Sequence, residues 1–239
     1  MEKLAPGSLA LFFSGVPVRK TADEDYAYFA NRNFVYLTGM EQKDTILMLE
    51  KDACGYRETL FILPPNLIEE RWTGARMKPE EIEAASMISN FAYRDTFEEE
   101  LKKVLASGRI EKVYLDIDRM DGQVVVSGAD SMETFLKQEY PNLLIENSLP
   151  ILKKLRLIKK PCEIRAMEKR RRSQSRNSGD DDTFKAGMYE YQYKAEYDYA
   201  LAQHGVLEAG FLPLSVPERI ISASTIMVTG DRLWMGISY

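Results

Sequence analysis

Apolar and polar positions along the first 150 residues alternate with two periods, one fitting strands and one fitting helices. Thr45–Leu49 and Thr59–Leu63 are short β-branched or apolar runs on either side of a polar turn around Asp52–Gly55. That is the pattern of a hairpin, ended by Pro64 and Pro65. Pro79 with Glu80 and Glu81 marks a helix start, since proline fits the first turn and acids suit the dipole; the helix is expected to run to about Asn90. Thr96, with Glu99 three residues on, predicts an N-cap and a helix that Gly108 closes. Val113–Ile117 reads as a strand, Asp130–Tyr140 as a helix, and Leu143–Ile145 as a third apolar segment before Pro150. Strands and helices in alternation, with short connections, imply an α/β fold.

The pattern changes after Pro150. Apolar and basic residues mix from Leu152 to Lys160, and Pro161 opens another helical stretch, expected over 161–169. A domain boundary is expected near residue 150, giving units of 1–150 and 151–239. Tyr189, Tyr193, Tyr197 and Leu201 share one face of a helix over 188–204, closed by Gly205. Those tyrosines read as a core-facing stripe with wet hydroxyls, or as a binding face.

Length agrees with that division, because 239 residues suit two compact units better than one small domain. A hydrophobic share of 45% with 29% charged residues is the profile of a soluble globular protein. The formal net charge of -5 disfavours a nucleic-acid binder that works by phosphate neutralisation. No apolar run reaches transmembrane length and the first twenty residues lack signal-peptide order, so a cytoplasmic protein without membrane contact is expected. Cys54 and Cys162 lie far apart with no CxxC spacing, which argues against a disulfide scaffold or a zinc knuckle. His204 is the single histidine, and one histidine alone builds neither a triad nor a His-rich metal centre. Its other reading is a helix-end histidine near the C-terminal dipole. Asp116 and Asp118 alternate on a predicted strand and so share a face, either as a metal pair or as strand-end acids at a sheet's edge. Lys169–Asp182 is a basic run followed by an acidic one: a nucleic-acid patch, a phosphorylated linker or a solvated loop.

Four stretches together resemble one family. Asn31–Gly39 is similar to the R-N-x-F-Y-Y-L-T-G segment of aminopeptidase P and prolidase amino-terminal domains. Arg71–Arg76 resembles the E-x-W-x-G-x-R segment that follows there. Leu155–Ile164 resembles the L-R-x-I-K-x-x-x-E-I junction at which the catalytic domain begins, and Gly187–Tyr191 the P-G-x-x-E-Y helix after it. The order and spacing match from residue 1 to about 208, so the chain is identified as a member of the Xaa-Pro aminopeptidase, creatinase-like family.

The resemblance implies a creatinase-type α/β amino-terminal domain, a mixed sheet flanked by helices, followed by an incomplete pita-bread α+β domain. It implies that the intact enzyme is a homo-oligomer that releases an N-terminal residue preceding proline from Xaa-Pro peptides. Two divalent metals, usually manganese, would generate the hydroxide, held by two Asp, one His and two Glu. No residue of this chain matches a catalytic or metal-ligand position, and the tail's only carboxylates, Glu218 and Asp231, have no ligand spacing. The chain alone is therefore expected to bind no metal cofactor and to be inactive. The resemblance also suggests that Trp72 lies on a loop reaching toward a neighbouring subunit's active site; the alternative is a partly buried loop tryptophan. Arg76 either pairs with a carboxylate across a subunit interface or faces solvent.

Two stretches depart from the family pattern. Codons can be chosen for Gly210–Tyr239 so that the shifted frame reads through S-A-G-K-N-N-F-C-I-H-Y-Y, similar to the family's S-G-x-N-x-x-x-x-H-Y segment. Arg171–Asp181 yields to the same treatment less specifically, because Arg and Ser have six codons each. Residues 170–186 and 209–239 are thus expected to be out of frame, through a sequencing error or a decayed gene. The competing readings are a non-catalytic peptidase-like interaction or oligomerisation module, and nucleic-acid binding through Lys169–Arg176.

Overall fold

The computed structural model describes residues 3–119, 126–168 and 189–203. The chain divides into two compact units, Met1–Ile158 and Lys159–Tyr239.

The first unit is built on a six-stranded sheet in the order β6-β5-β4-β1-β7-β8. Its strands are β1 (Ser8–Phe13), β4 (Ile46–Lys51), β5 (Tyr56–Ile62), β6 (Phe91–Tyr93), β7 (Lys112–Leu115) and β8 (Leu144–Asn147). β4 runs antiparallel to both neighbours, with Leu11 opposite Met48 and Met48 opposite Thr59. The β1–β7, β5–β6 and β7–β8 pairs are parallel. A small exposed hairpin, β2 (Arg19–Thr21) with β3 (Glu24–Asp25), stands apart from this sheet.

Both faces of the sheet are covered, which explains why its central strands read as unbroken apolar runs. Side chains alternate between two cores. Ala10, Phe12, Leu47, Leu49, Leu60, Ile62 and Tyr114 face one core. It is closed by Phe34 of α1 (Arg32–Thr38), Ile82 of α3 (Pro79–Ser86) and Leu152 of α6 (Leu149–Leu157). Leu9, Leu11, Ile46, Met48, Phe61, Val113 and Leu115 face the other. There α4 (Phe97–Ala106) contributes Phe97, Leu101, Val104 and Leu105, and α5 (Gly128–Glu139) contributes Ala129 and Leu136. Phe97 packs edge-on against Phe61, with centroids 5.1 Å apart, and against Phe13 at 6.4 Å. The result is an α/β sandwich with a mixed central sheet.

Several elements differ from their sequence expectation for local reasons. α3 stops at Ser86 rather than near Asn90, because Met87 adopts a left-handed conformation with φ 59° and its N–H closes on the Glu83 carbonyl. α4 starts after Thr96 as expected, but the Thr96 hydroxyl donates back to the Tyr93 carbonyl instead of capping the helix. α5 begins at Gly128, ahead of Asp130, because Ser127 and Asp130 form a reciprocal capping box. The Leu152–Lys160 stretch does not mark the start of a new unit: Leu149–Leu157 is helical and buries Leu152 in the first core. In the second unit, α7 spans 161–168 and α8 spans Glu190–Ala202. Tyr189 stacks on Tyr191 at 5.3 Å there; the side chains of Tyr193 and Tyr197, and Gly205, lie outside the described residues.

Candidate functional site

The Asn31–Gly39 segment forms α1 with its connections. Asn31 caps the helix, its side-chain oxygen accepting from the Asn33 and Phe34 N–H groups at 2.8 and 3.0 Å. Phe34 is fully buried, and the Thr38 hydroxyl donates to the Phe34 carbonyl and accepts from the Met40 N–H. Gly39 ends the helix in the left-handed region, φ 71°, its N–H bonded to the Val35 carbonyl at 2.7 Å.

Trp72 and Arg76 have opposite surroundings. Trp72 sits in a helix, α2 (Leu67–Thr73), rather than on a loop, and 88% of its surface is exposed. Asn66 caps this helix through the Ile68 and Glu69 N–H groups, yet α2 buries no residue, and Leu67 and Ile68 are open beside Trp72. Arg76 turns inward. Its guanidinium donates to the Pro64 carbonyl and to Glu69, which Lys43 also contacts at 3.1 Å. Hydrogen bonding from Lys43, with the charge of Arg76 beside it, holds the Glu69 carboxyl below the usual carboxylate range. Arg76 thus ties the end of β5 to α2 within its own chain.

Asp116 and Asp118 are not a pair on one strand face. β7 ends at Leu115 and is an inner strand between β1 and β8. Asp116, 7% exposed, follows it directly, and both its oxygens accept from Asn33 Nδ2 at 3.0 Å. Burial pushes its carboxyl above the ordinary aspartate range and Asp118 adds to that; bonds from Asn33 and Asn31 and the charge of Arg156 pull the other way. An Asp whose two oxygens are already committed to an amide is a poor metal ligand. Among the described residues no group of three or more His, Cys, Asp or Glu side chains is placed to hold a metal ion. The described residues therefore do not fit a two-metal centre.

Asn33 and Arg156 were not singled out by sequence reasoning. The available signal was helical spacing: Arg156 follows Leu149 and Leu152 on the stripe of α6 that faces inward, where a cation requires a partner. An apolar recess between α4 and α5, about 410 Å³, is lined by Phe13, Phe97, Leu101, Met132 and Phe135. Its Arg94 is committed to Asp44 at 3.1 Å, so it assembles no catalytic set. His204, the Lys169–Asp182 run and the 209–239 tail lie outside the described residues. Among the described residues no helix is long and apolar enough to cross a membrane.

Comparison with known proteins shows what the chain is similar to. Residues 1–114 match the sequence profile named "Aminopeptidase P, N-terminal domain". The Xaa-Pro aminopeptidase of Escherichia coli K12 is 26% identical over 214 residues, 86% of this chain and 47% of that protein. A solved Bacillus anthracis structure assigned as an aminopeptidase P superposes with a TM-score of 0.79 at 28% identity, covering 85% of this chain and 49% of that one. A zinc-substituted E. coli aminopeptidase P in complex with product superposes at 0.66 and 26% identity, over 86% and 48%. The chain spans about half the length of each of these three relatives. Residues 1–114 are therefore similar to the aminopeptidase P N-terminal domain, and the likeness to a solved aminopeptidase P extends over 85% of the chain.

Proposed function

We propose that these residues are part of a metal-dependent Xaa-Pro aminopeptidase, the first unit folding as its amino-terminal domain and the second opening its pita-bread catalytic domain. The observation that supports this best is the reach of the likeness. It extends over 214 residues of the E. coli relative, well past the 114 that match the amino-terminal profile. In this reading the intact cytoplasmic enzyme is a homo-oligomer holding two divalent metals, manganese in the first instance. It cleaves the bond before proline, and residues 170–186 and 209–239 are out of frame. This polypeptide alone does not turn over, because the ligand set is supplied by sequence that none of its 239 residues matches. Trp72 is the residue offered to a neighbouring subunit, and the Arg76–Glu69 pair holds the helix that presents it.

One observation favours a second reading, a non-catalytic interaction module. α2 exposes Leu67, Ile68 and Trp72 together, a surface that suits a protein partner as well as a peptide. Activity separates the two. Purified chain is incubated with Mn²⁺ and an Xaa-Pro peptide, beside a version whose reading frame is restored and extended at the DNA. The enzyme reading expects turnover only from the extended version. Chelator-sensitive turnover by the 239-residue chain would overturn its inactivity, and an inert extended version would favour the module. Resequencing that finds an intact frame with no indel sinks the out-of-frame assignment.

A further inference from the structure

Three side chains far apart in sequence meet where α1, the end of β7 and the last turn of α6 converge. Asn33 Nδ2 is 3.0 Å from both Asp116 oxygens, and Asn33 Oδ1 accepts from Arg156 Nη1 at 2.5 Å. An ionised carboxylate only accepts hydrogen bonds and a guanidinium only donates them. The amide between them has one face of each kind, so one of its two flip states satisfies both partners and the other satisfies neither. Ionised Asp116 thereby dictates which atom Asn33 offers to Arg156.

We infer that Asn33 is an orientation-locked adaptor that passes the ionisation state of Asp116 to Arg156, clasping the last turn of α6 to α1 and loosening it when Asp116 takes up a proton. A protonated Asp116 carries both a donor and an acceptor, so either flip of Asn33 suits it. Arg156 alone then orients the amide, and the Asn33–Arg156 bond loses the negative charge that polarised it and drew the guanidinium in. The groups facing Asp116 are Asn31 and Asn33 from α1 and its cap, Asp118 from the segment after β7, and Arg156 from α6. Tyr36 holds the same turn independently: its hydroxyl donates to the Leu155 carbonyl at 3.3 Å, and the Arg156 guanidinium lies 5.7 Å from its ring. Losing the clasp therefore frays the end of α6 without undocking the helix.

Local and global stability respond to Asp116 with opposite sign, which separates this device from an ordinary packing contact. The Asp116 carboxyl is held above its unfolded value, chiefly by burial. Such a group contributes stability below the unfolded pKa and loses that contribution as pH rises through the folded one. The charge that engages the clasp is thus carried at the expense of the whole fold, as buried ionic groups that specify geometry often are.

Hydrogen exchange on the full chain tests this, with opening constants corrected for intrinsic rates. In Asp116→Asn at pH 7, amides of residues 153–157 should exchange about tenfold faster, the weakening of one charge-assisted hydrogen bond. Amides of β1 and β4 should keep or gain protection. Arg156→Met should give the same acceleration, and the double variant no more than either single one. In the wild type the same amides should lose protection as pH falls through the Asp116 titration, whereas Asp116→Asn shows no such step. The inference is overturned if Asp116→Asn leaves the α6 end within twofold of wild type. It is equally overturned if protection of β1 and β4 falls in parallel, or if the two single effects multiply in the double variant.

Discussion

Replacing Gly39 by alanine separates backbone strain from lack of space. Gly39 closes α1 with φ 71°, a conformation that costs an L-residue about 1–2 kcal/mol. A Cβ added there would also lie 3.0 Å from the Ala85 carbonyl oxygen, which is α3 backbone and cannot swing aside like a side chain tip. Relief requires α1 or α3 to shift, yet each is anchored by a side chain at 0% exposure in the same core, Phe34 and Ile82. Overpacking of that kind adds about 1–3 kcal/mol. The expected total for Gly39→Ala is about 2–5 kcal/mol, a Tm drop of roughly 4–20 °C for a unit of this size. Gly108→Ala is the matched control: φ is 69°, but nothing lies within 4 Å of its added Cβ, so only the backbone contribution of about 1 kcal/mol should appear. Gly39→Asn should recover part of the backbone contribution, since asparagine tolerates this region, and none of the contact. Urea unfolding followed by far-UV circular dichroism reads all three, provided the m-value is unchanged. If Gly39→Ala falls within about 0.5 kcal/mol of Gly108→Ala, α1 moves freely against α3 and the reasoning fails.

How much of this was legible in the sequence depended on whether a segment announced itself by period. The β4–β5 hairpin was readable because a polar turn separates two apolar runs, and α4 because Phe97, Leu101 and Leu105 recur at helical spacing. β1 was missed: with Leu9 and Leu11 facing one core and Ala10 and Phe12 the other, no two-residue alternation survives to mark it. α1 hid for a different reason. Asn31, Arg32 and Asn33 carry no helical period of apolar residues, while in the fold the first caps the helix and the third bonds across to Asp116. Alternating basic and apolar residues disguised α6, whose buried stripe rests on Leu152 and ends in a partnered cation. The family motifs were legible as strings, but their side chains act mostly within the domain: Asn31 caps, Phe34 fills a core, Gly39 turns the chain, Arg76 staples Pro64 to Glu69. What those strings encode is therefore chiefly how to fold. That is why the resemblance located an architecture and no ligand set.

The remaining predictions bear on the second core, on acid stability and on α2. Phe97→Ala should destabilise by about 3–5 kcal/mol, because the ring is 1% exposed and packs edge-on against two phenylalanines; Phe97→Leu should recover most of that in the same denaturation assay. Asp130 is held below its ordinary range by Ser127, and Glu133 by Lys137, with Arg119 bonded to both. Their stabilisation is complete above the unfolded pKa values and lost as pH falls through the lower folded ones, so Glu133→Gln should flatten the acid limb of the pH–stability curve while its slope near neutral pH stays unchanged. The last prediction concerns Trp72, a motif residue that the fold leaves open. It is 88% exposed on a helix that buries nothing, so folding does not account for a tryptophan there. Trp72→Ala should change the stability of the chain by less than about 0.5 kcal/mol, as surface substitutions away from special features do. Arg76→Ala is the contrast, since it leaves the Pro64 carbonyl and Glu69 short of a partner and should cost about 1–2 kcal/mol with faster exchange over residues 64–76. A stable Trp72→Ala chain makes the same substitution in an extended, active enzyme a clean probe, because any loss of turnover there would report what the indole touches. Trp72→Ala destabilising the chain by 1 kcal/mol or more would show that the ring is packed in solution, and its assignment as a presented residue would fall.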